Sequence, residues 1–384
     1  MDALAGKRVG IGGLALLPPL TGVGRYTFHL AHEMQALLAE KPMFFYARQW
    51  SAELRPMAVP ATAAVRGSIA RWVPHAWRAA RWLQQRRFTA GARANGIALY
   101  HEPNYLAFRF DGPTVVTVHD LSWIRYPQMH PAVRVRMMDA IMPRVARDAA
   151  RIVADSEFTR REVIEHYGVA AERVSAVLLG VTGEFRPLAV EACAAALAAR
   201  GLVHGRYILA VGTLEPRKNL ATAIAAFARL PEAVRRSHPL VVAGMSGWGR
   251  DRFAPTVRDM IARGEVRITG YIAQEELPML YSGARIFVYP SVYEGFGLPP
   301  LEAMACGVPV IVSRRASLPE VVGEAGVLVE GLDEVELAER MQALIDDDAL
   351  HARLAVAGID RARSFTWRRC AEGTLEVYRG ALAA

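Results

Sequence analysis

Cysteine is scarce: Cys193, Cys306 and Cys370 are odd in number and far apart. Such a set makes no disulfide framework and no metal-ligand spacing, and it suits a reducing cytoplasm. Long hydrophobic runs are also missing. Although 52% of residues are apolar, no stretch of about 18 of them occurs, so the pattern predicts no membrane span. Residues 1–20 lack a basic stretch ahead of a long apolar core, and Lys7-Arg8-Val9-Gly10-Ile11-Gly12 reads as a first strand, not as a signal peptide. Acidic residues fall short of basic ones, 38 against 46, giving a formal charge of +8. That excess predicts an anionic partner: a phosphorylated ligand, a membrane surface or nucleic acid. Nucleic acid is disfavoured because no recognised binding module accompanies the charge. With 384 residues, 22% of them charged, the chain is long enough for two core-forming domains and too apolar for disorder.

Strand-like and helix-like segments alternate twice along the chain. Strands are expected near residues 9–13, 43–46, 98–101, 114–119, 151–155 and 174–178, then near 207–211, 240–243, 266–268, 286–289, 308–312 and 326–329. Helices are expected near 24–39, 75–94, 131–149 and 157–166, then near 219–230, 251–263, 275–282, 300–306, 333–346 and 349–364, with a last one over 366–382. Alternation of this kind predicts two α/β domains with parallel sheets covered on both faces. The boundary is placed between residues 184 and 205, because the alanine-rich 190–200 helix fits neither sheet. The domains are thus 1–187, joined by 366–384, and 205–365.

The most informative stretch follows the apolar run Arg285-Ile286-Phe287-Val288-Tyr289-Pro290. It reads Ser291-Val292-Tyr293-Glu294-Gly295-Phe296-Gly297-Leu298-Pro299-Pro300-Leu301-Glu302. It begins at the carboxyl edge of a sheet, where open α/β proteins bind ligands. Gly295 and Gly297 permit close approach of the backbone, and the prolines suit a helix start whose amides near Phe296, Gly297 and Leu298 would hold an anion. Glu294 and Glu302 frame this turn and would accept hydrogen bonds from the hydroxyls of a phosphorylated, sugar-bearing ligand. Glu302 could instead complement the helix dipole.

A second cationic loop, Gly212-Thr213-Leu214-Glu215-Pro216-Arg217-Lys218-Asn219, places Arg217 and Lys218 at a helix start, a diphosphate clamp. Read blandly, these are surface charges after a turn. Thr21-Gly22-Val23-Gly24 opens the first helix. His119 ends a buried strand, Asp120 beside it fits a turn cap, and His101–Tyr105 ends a neighbouring strand as a candidate acceptor wall. Ser156 reads as a helix N-cap. Asp346-Asp347-Asp348 contains an Asp-x-Asp match but sits at a helix end, so no metal is expected there. Between residues 66 and 93, Arg71, Arg78, Arg81, Arg86 and Arg87 interleave with Trp72, Trp77 and Trp82, and Ile69, Trp72, Val73, Ala76, Ala80 and Leu83 recur at helical spacing. This is either a helix resting on anionic lipid or an ordinary surface helix.

Glu294, seven residues, then Glu302, embedded in Glu-Gly-Phe-Gly-Leu-Pro and Leu-Glu-Ala-Met-Ala-Cys-Gly-Val-Pro-Val, resembles the signature of retaining glycosyltransferases of family 4. The resemblance implies the GT-B fold: two Rossmann-like, doubly wound domains facing a cleft, with the last helix crossing back to the first. It implies that Glu294 lies against the donor sugar, Glu302 holds the ribose, and Lys218, assisted by Arg217, contacts the diphosphate beside Gly212. Gly22 and Gly24 would belong to a flexible loop closing over the phosphate or acceptor. His119 would bond a sugar hydroxyl, and Gly270-Tyr271-Ile272 would meet the base, with Gly244–Gly249 lining its pocket. Thr213 stands where many relatives carry arginine, and Thr182 where they carry aspartate. Gly-Thr-Leu-Glu-Pro-Arg-Lys-Asn, Val-His-Asp-Leu-Ser and Ser-Glu-Phe-Thr-Arg resemble bacterial mannosyltransferases of O-antigen or exopolysaccharide assembly. That implies GDP-mannose as donor, no cofactor, a lipid-linked or oligosaccharide acceptor, and a cytoplasmic protein peripheral to the inner membrane. The rival readings are a nucleotide-sugar epimerase of the same fold and a silent sugar-nucleotide scaffold.

Overall fold

The computed structural model describes residues 3–16, 22–55, 76–213, 215–244 and 255–384, without the side chains of 76–80 and 255. Two compact units emerge: Met1–Ile124 with Ala132–Gly180 and Trp367–Ala384, and Val181–Thr366 with Arg125–Pro131.

The first unit is built on β1 (Arg8–Gly12), β2 (Met43–Phe45), β3 (Trp50–Ser51), β4 (Ile97–Glu102), β5 (Thr114–Val118), β6 (Arg151–Ala154) and β7 (Val174–Ala176). Their order is β3-β2-β1-β4-β5-β6-β7, parallel throughout except for β3. Strand β3 is not predicted, because two residues carry no period. It is held by Trp50, whose indole donates to Phe88 O at 3.1 Å and fills the space beside Gly10 and Gly91. The glycines of Gly10-Ile11-Gly12-Gly13 therefore make room for Trp50, Glu102 and Tyr46.

Helix α1 (Gly22–Leu37), α2 (Ala76–Ala94), α3 (Ala132–Asp148) and α4 (Glu157–Tyr167) pack against this sheet. Helix α4 has every local signal: Ser156 Oγ accepts from Thr159 N, Glu157 opens the first turn, and Gly168 ends it at φ +61°. The expected stripe of the basic helix is only partly described, since Ile69, Trp72 and Val73 lie outside the described residues. Leu83 on that stripe is exposed, and the buried positions of α2 are Phe88 and Ala92.

The second sheet contains β8 (Ile208–Val211), β9 (Leu240–Ala243), β10 (Val266–Gly270), β11 (Ile286–Tyr289), β12 (Val310–Ser313) and β13 (Val327–Val329), ordered β10-β9-β8-β11-β12-β13 and wholly parallel. Its central strands are buried on both faces. The expectation that the alanine-rich helix stands apart is corrected: α5 (Val190–Ala198) belongs to this unit and buries Cys193 and Leu197. Leu197 packs so closely that a Cβ on Gly283 would come within 2.7 Å of it. The division accordingly falls after Gly180. Helix α6 (Leu220–Arg229), α7 (Leu298–Ala305) and α8 (Asp348–Ala362) complete the elements used below. The last helix, α9 (Trp367–Leu382), joins the first unit, where Tyr378 OH meets His101 Nδ1 at 2.7 Å and Trp367 stacks on His29.

Backbone packing is tightest where the β8 and β9 ends meet. A Cβ on Gly244 would lie 1.8 Å from Gly212 O, and Gly244 has φ +156°. Gly244→Ala should therefore cost roughly 3 kcal/mol in urea denaturation. Gly183→Ala, in open space at an ordinary φ, should stay within about 0.5 kcal/mol.

Candidate active site

In the second sheet, β8 and β11 are neighbours whose chains continue to opposite sides. This is the topological switch point, where carboxyl-end loops diverge and leave room for a ligand. The loop after β8 turns at Gly212, then forms a 3-10 turn over Pro216–Lys218 that ends at Asn219 with φ +54°. Asn219 Nδ2 donates to Pro290 O at 3.1 Å and Gly331 O at 2.5 Å. The loop after β11 is tied back by Val292 N donating to Arg217 O at 2.9 Å. Ser317 Oγ shapes it further, lying 2.8 Å from Glu294 O and 2.7 Å from Phe296 O.

These two loops meet through charge. Glu294 is buried; its Oε1 accepts from Lys218 Nζ at 2.6 Å and Tyr289 OH at 3.0 Å, and its Oε2 from Arg217 Nη1 at 2.8 Å. Lys218 also donates to Tyr289 OH, and Arg217 Nε to Glu215 at 2.9 Å. Burial alone would raise the Glu294 pKa, but Arg217 and Lys218 bring it down to about 2. Burial lowers the Lys218 pKa despite Glu294 beside it. The cations expected to meet a phosphate and the carboxylate expected to meet a sugar thus stand together in one bonded cluster, the countercharge that a buried carboxylate needs.

Gly297 caps α7 at φ +117°, with prolines in the first turn. Pro299 and Pro300 lack N–H groups and Leu301 N bonds Gly297 O, so Leu298 supplies the remaining donor of that turn. Glu302, the fifth residue of α7, is buried and accepts from Tyr281 OH at 3.0 Å. A dipole role therefore does not account for it. Gly295 and Phe296 sit in the buried loop between Glu294 and α7. Gly270 closes β10 at φ +73°, accepting from Gly244 N, followed by exposed Tyr271 and buried Ile272. Leu214 and residues 245–249 of the expected base pocket lie outside the described residues.

Comparison with known proteins fits this geometry. A model described as "Glycosyltransferase Family 4" matches residues 20–184, and one described as "Glycosyl transferases group 1" matches 202–361. The chain is 34% identical over 368 residues to the O-antigen chain mannosyltransferase B of Escherichia coli, covering 94% of this chain and 96% of that one. The chain is a family 4 glycosyltransferase. Among solved structures, sucrose-phosphate synthase from Thermosynechococcus elongatus superposes with a TM-score of 0.73 at 22% identity, covering 98% of this chain and 99% of that one. Anabaena HepE in complex with UDP-glucose gives 0.72 at 17% identity, covering 97% and 99%. Both show the shared two-unit GT-B fold.

In the first unit of this glycosyltransferase, Gly22 and Gly24 lie in the opening turn of α1 and not in a loop; Thr21 is outside the described residues. His119 differs from expectation. Its Nδ1 lies 2.7 Å from Asp155 Oδ2 and its Nε2 2.8 Å from Pro103 O, so neither nitrogen is available for a sugar hydroxyl unless one bond breaks. In the expected acceptor wall, His101 is held neutral, its pKa lowered to about 3 by burial and then by His119. Asp120 caps Ser122, and Asp347 caps α8 through Leu350 N at 2.8 Å, with Asp348 paired to Arg285. Sequence reading missed Tyr289, Glu215, Ser317, Tyr281 and Asp155. Of these Glu215, two residues before Arg217, and Asp155, at the end of an expected strand, carried a signal.

Asp155 Oδ2 and the Pro103 carbonyl flank the two His119 nitrogens, an arrangement that favours the protonated ring, while burial pushes the Asp155 pKa up against the pull of His119. Burial of the ring opposes its protonation, but the charge and hydrogen bond of Asp155 and the Pro103 carbonyl raise the pKa overall. A pKa raised on folding stabilises fully below the unfolded value of about 6.5 and loses that contribution as pH rises through the folded value. Followed by nitrogen-15 NMR, the ring should titrate above the ordinary histidine value of about 6.5. In Asp155→Asn the ring should titrate below about 6.5, because burial then prevails.

Proposed function

We propose that this glycosyltransferase moves mannose from GDP-mannose, with retention, to a lipid-linked or growing glycan acceptor in cell-surface polysaccharide synthesis at the cytoplasmic face of the membrane. The observation that carries the reading is the 34% identity, over nearly the whole chain, to a protein named as an O-antigen mannosyltransferase. The switch-point cluster supports it chemically. Arg217 and Lys218 pair with Glu215 and Glu294 across the two loops. An entering diphosphate would draw the two cations toward itself and release Glu294 to accept from sugar hydroxyls. Arg217, Lys218 and the Leu298 amide would then stabilise charge on the departing diphosphate, the main electrostatic demand of the step. Glu302 would take ribose hydroxyls.

The rival readings lack support. A silent scaffold has no need of a fully charged buried cluster, and an epimerase would leave the acceptor class unused. We further propose that no metal is required, the two cations supplying the countercharge; a chelator should leave turnover unchanged.

Isothermal titration of GDP, UDP, ADP and their sugar conjugates tests the donor. GDP-mannose should bind selectively, and Lys218→Ala and Glu302→Ala should each weaken it about 10- to 100-fold, the range for losing one charge-assisted hydrogen bond. Selective binding of a UDP sugar would replace the donor, and unchanged affinity in both variants would remove these residues from the site.

A further inference from the structure

The link between β4 and β5 departs from the usual parallel crossover. Parallel neighbours are ordinarily joined through a helix that covers the sheet face between them. Residues 103–113 contain no helix. Instead they run along α2. Arg81 Nη2 donates to Leu106 O at 2.7 Å and Ala107 O at 3.2 Å, its guanidinium lies 3.7 Å above the Phe108 ring, and Gln85 exchanges hydrogen bonds of 2.8 and 2.9 Å with Arg109. The strip is drawn toward α2, and the space before α3 is left open. What remains is a groove of about 820 Å³, within the roughly 300–1,000 Å³ typical of small-molecule sites.

Met137, Ile141 and Val145, four residues apart on α3, line it together with Val116, Leu106 and Phe108. Charge is confined to Arg81, Arg109, Arg144 and Asp148; Asp148 pairs with Arg144 and Arg147, and Arg81 is held by Leu106 O and Ala107 O, so Arg109 and the exposed arginines of α2 are the cations that face an anion. Helix α2 carries five arginines and no acidic residue. At the mouth, Trp82 and Met137 are 60% and 39% exposed. An apolar trough with a cationic rim matches an amphiphile with one hydrocarbon chain and an anionic head. Its concavity suits a single chain, since a flat bilayer would touch only the rim.

We infer that this groove holds the hydrocarbon chain of the lipid-linked acceptor, with the phosphate of that lipid drawn to the arginine rim. The inference rests on the acceptor class proposed above. Hexadecyl phosphate, kept below its micelle threshold, is titrated into the full chain and followed by native mass spectrometry and hydrogen exchange. One molecule should bind per chain, slowing exchange over residues 104–112 and 137–149. The double variant Trp82→Glu, Met137→Glu should bind at least about tenfold more weakly, as expected from lost apolar burial, with GDP affinity unchanged as the check on folding. A wild-type protein that binds hexadecyl phosphate but no nucleotide sugar would speak against the proposed donor and leave the groove standing. The inference is overturned if hexadecyl phosphate does not bind, if the double variant binds it equally well, or if only phosphatidylglycerol vesicles bind. It is also overturned if a second copy or another part of the chain already fills the groove, seen as a doubled mass or as protection present before ligand is added.

Discussion

The ion pairing around Glu294 is the interaction on which the functional edge of the second unit depends. The carboxylate joins two loops that leave different strands, one carrying Arg217 and Lys218 and the other carrying Glu294 itself. Each partner is largely withdrawn from water, so none of the charges could persist alone. The loops are therefore held in one geometry before any ligand arrives. Hydrogen bonds to neutral groups finish the work: Tyr289 OH contacts both Lys218 and Glu294, and Arg217 Nη1 reaches Tyr293 O at 3.2 Å. Electrostatic preorganisation of this kind is what a reaction with a departing diphosphate requires. The same pairing sets two cations against two carboxylates, which lowers the cost of keeping four buried or half-buried charges together.

Much of this was legible in the sequence because both sheets are parallel and buried. Strands covered on two faces read as short apolar runs, and each predicted run has a strand in the structure. The site was legible where charge stands beside a strand end: Lys218, Arg217 and Glu294 interrupt apolar pattern and cannot be core by default. Tyr289 was not, since an aromatic residue closing an apolar strand reads as packing. The helix expected from Pro300 begins two residues earlier, at Leu298, because Gly297 at positive φ lets it start there, so Glu302 is its fifth residue and not its third. His119 was placed at the right strand end, but its partners come from Asp155 and Pro103, distant in sequence, and no local pattern encodes them.

The two sheets also allow a controlled comparison of one chemical group. Glu102 ends β4 beside β1 in the first sheet, at the switch point corresponding to that between β8 and β11 in the second. Both glutamates are buried and both meet a tyrosine hydroxyl, Tyr100 at 2.5 Å for Glu102 and Tyr289 at 3.0 Å for Glu294. They differ in countercharge: no described Lys, Arg or His pairs with Glu102, whereas two cations touch Glu294. The Glu102 pKa is accordingly pushed up to about 7, burial exceeding the help from Tyr100 and Arg81, while that of Glu294 falls to about 2. Burial acts in the same direction on both, and the two adjacent cations head the causes that take Glu294 the other way. At neutral pH one sheet edge thus presents a carboxyl group that exchanges its proton and the other a fixed anion with its cations attached. The cations that a diphosphate would attract therefore stand at the second switch point, although both sheets share the same winding.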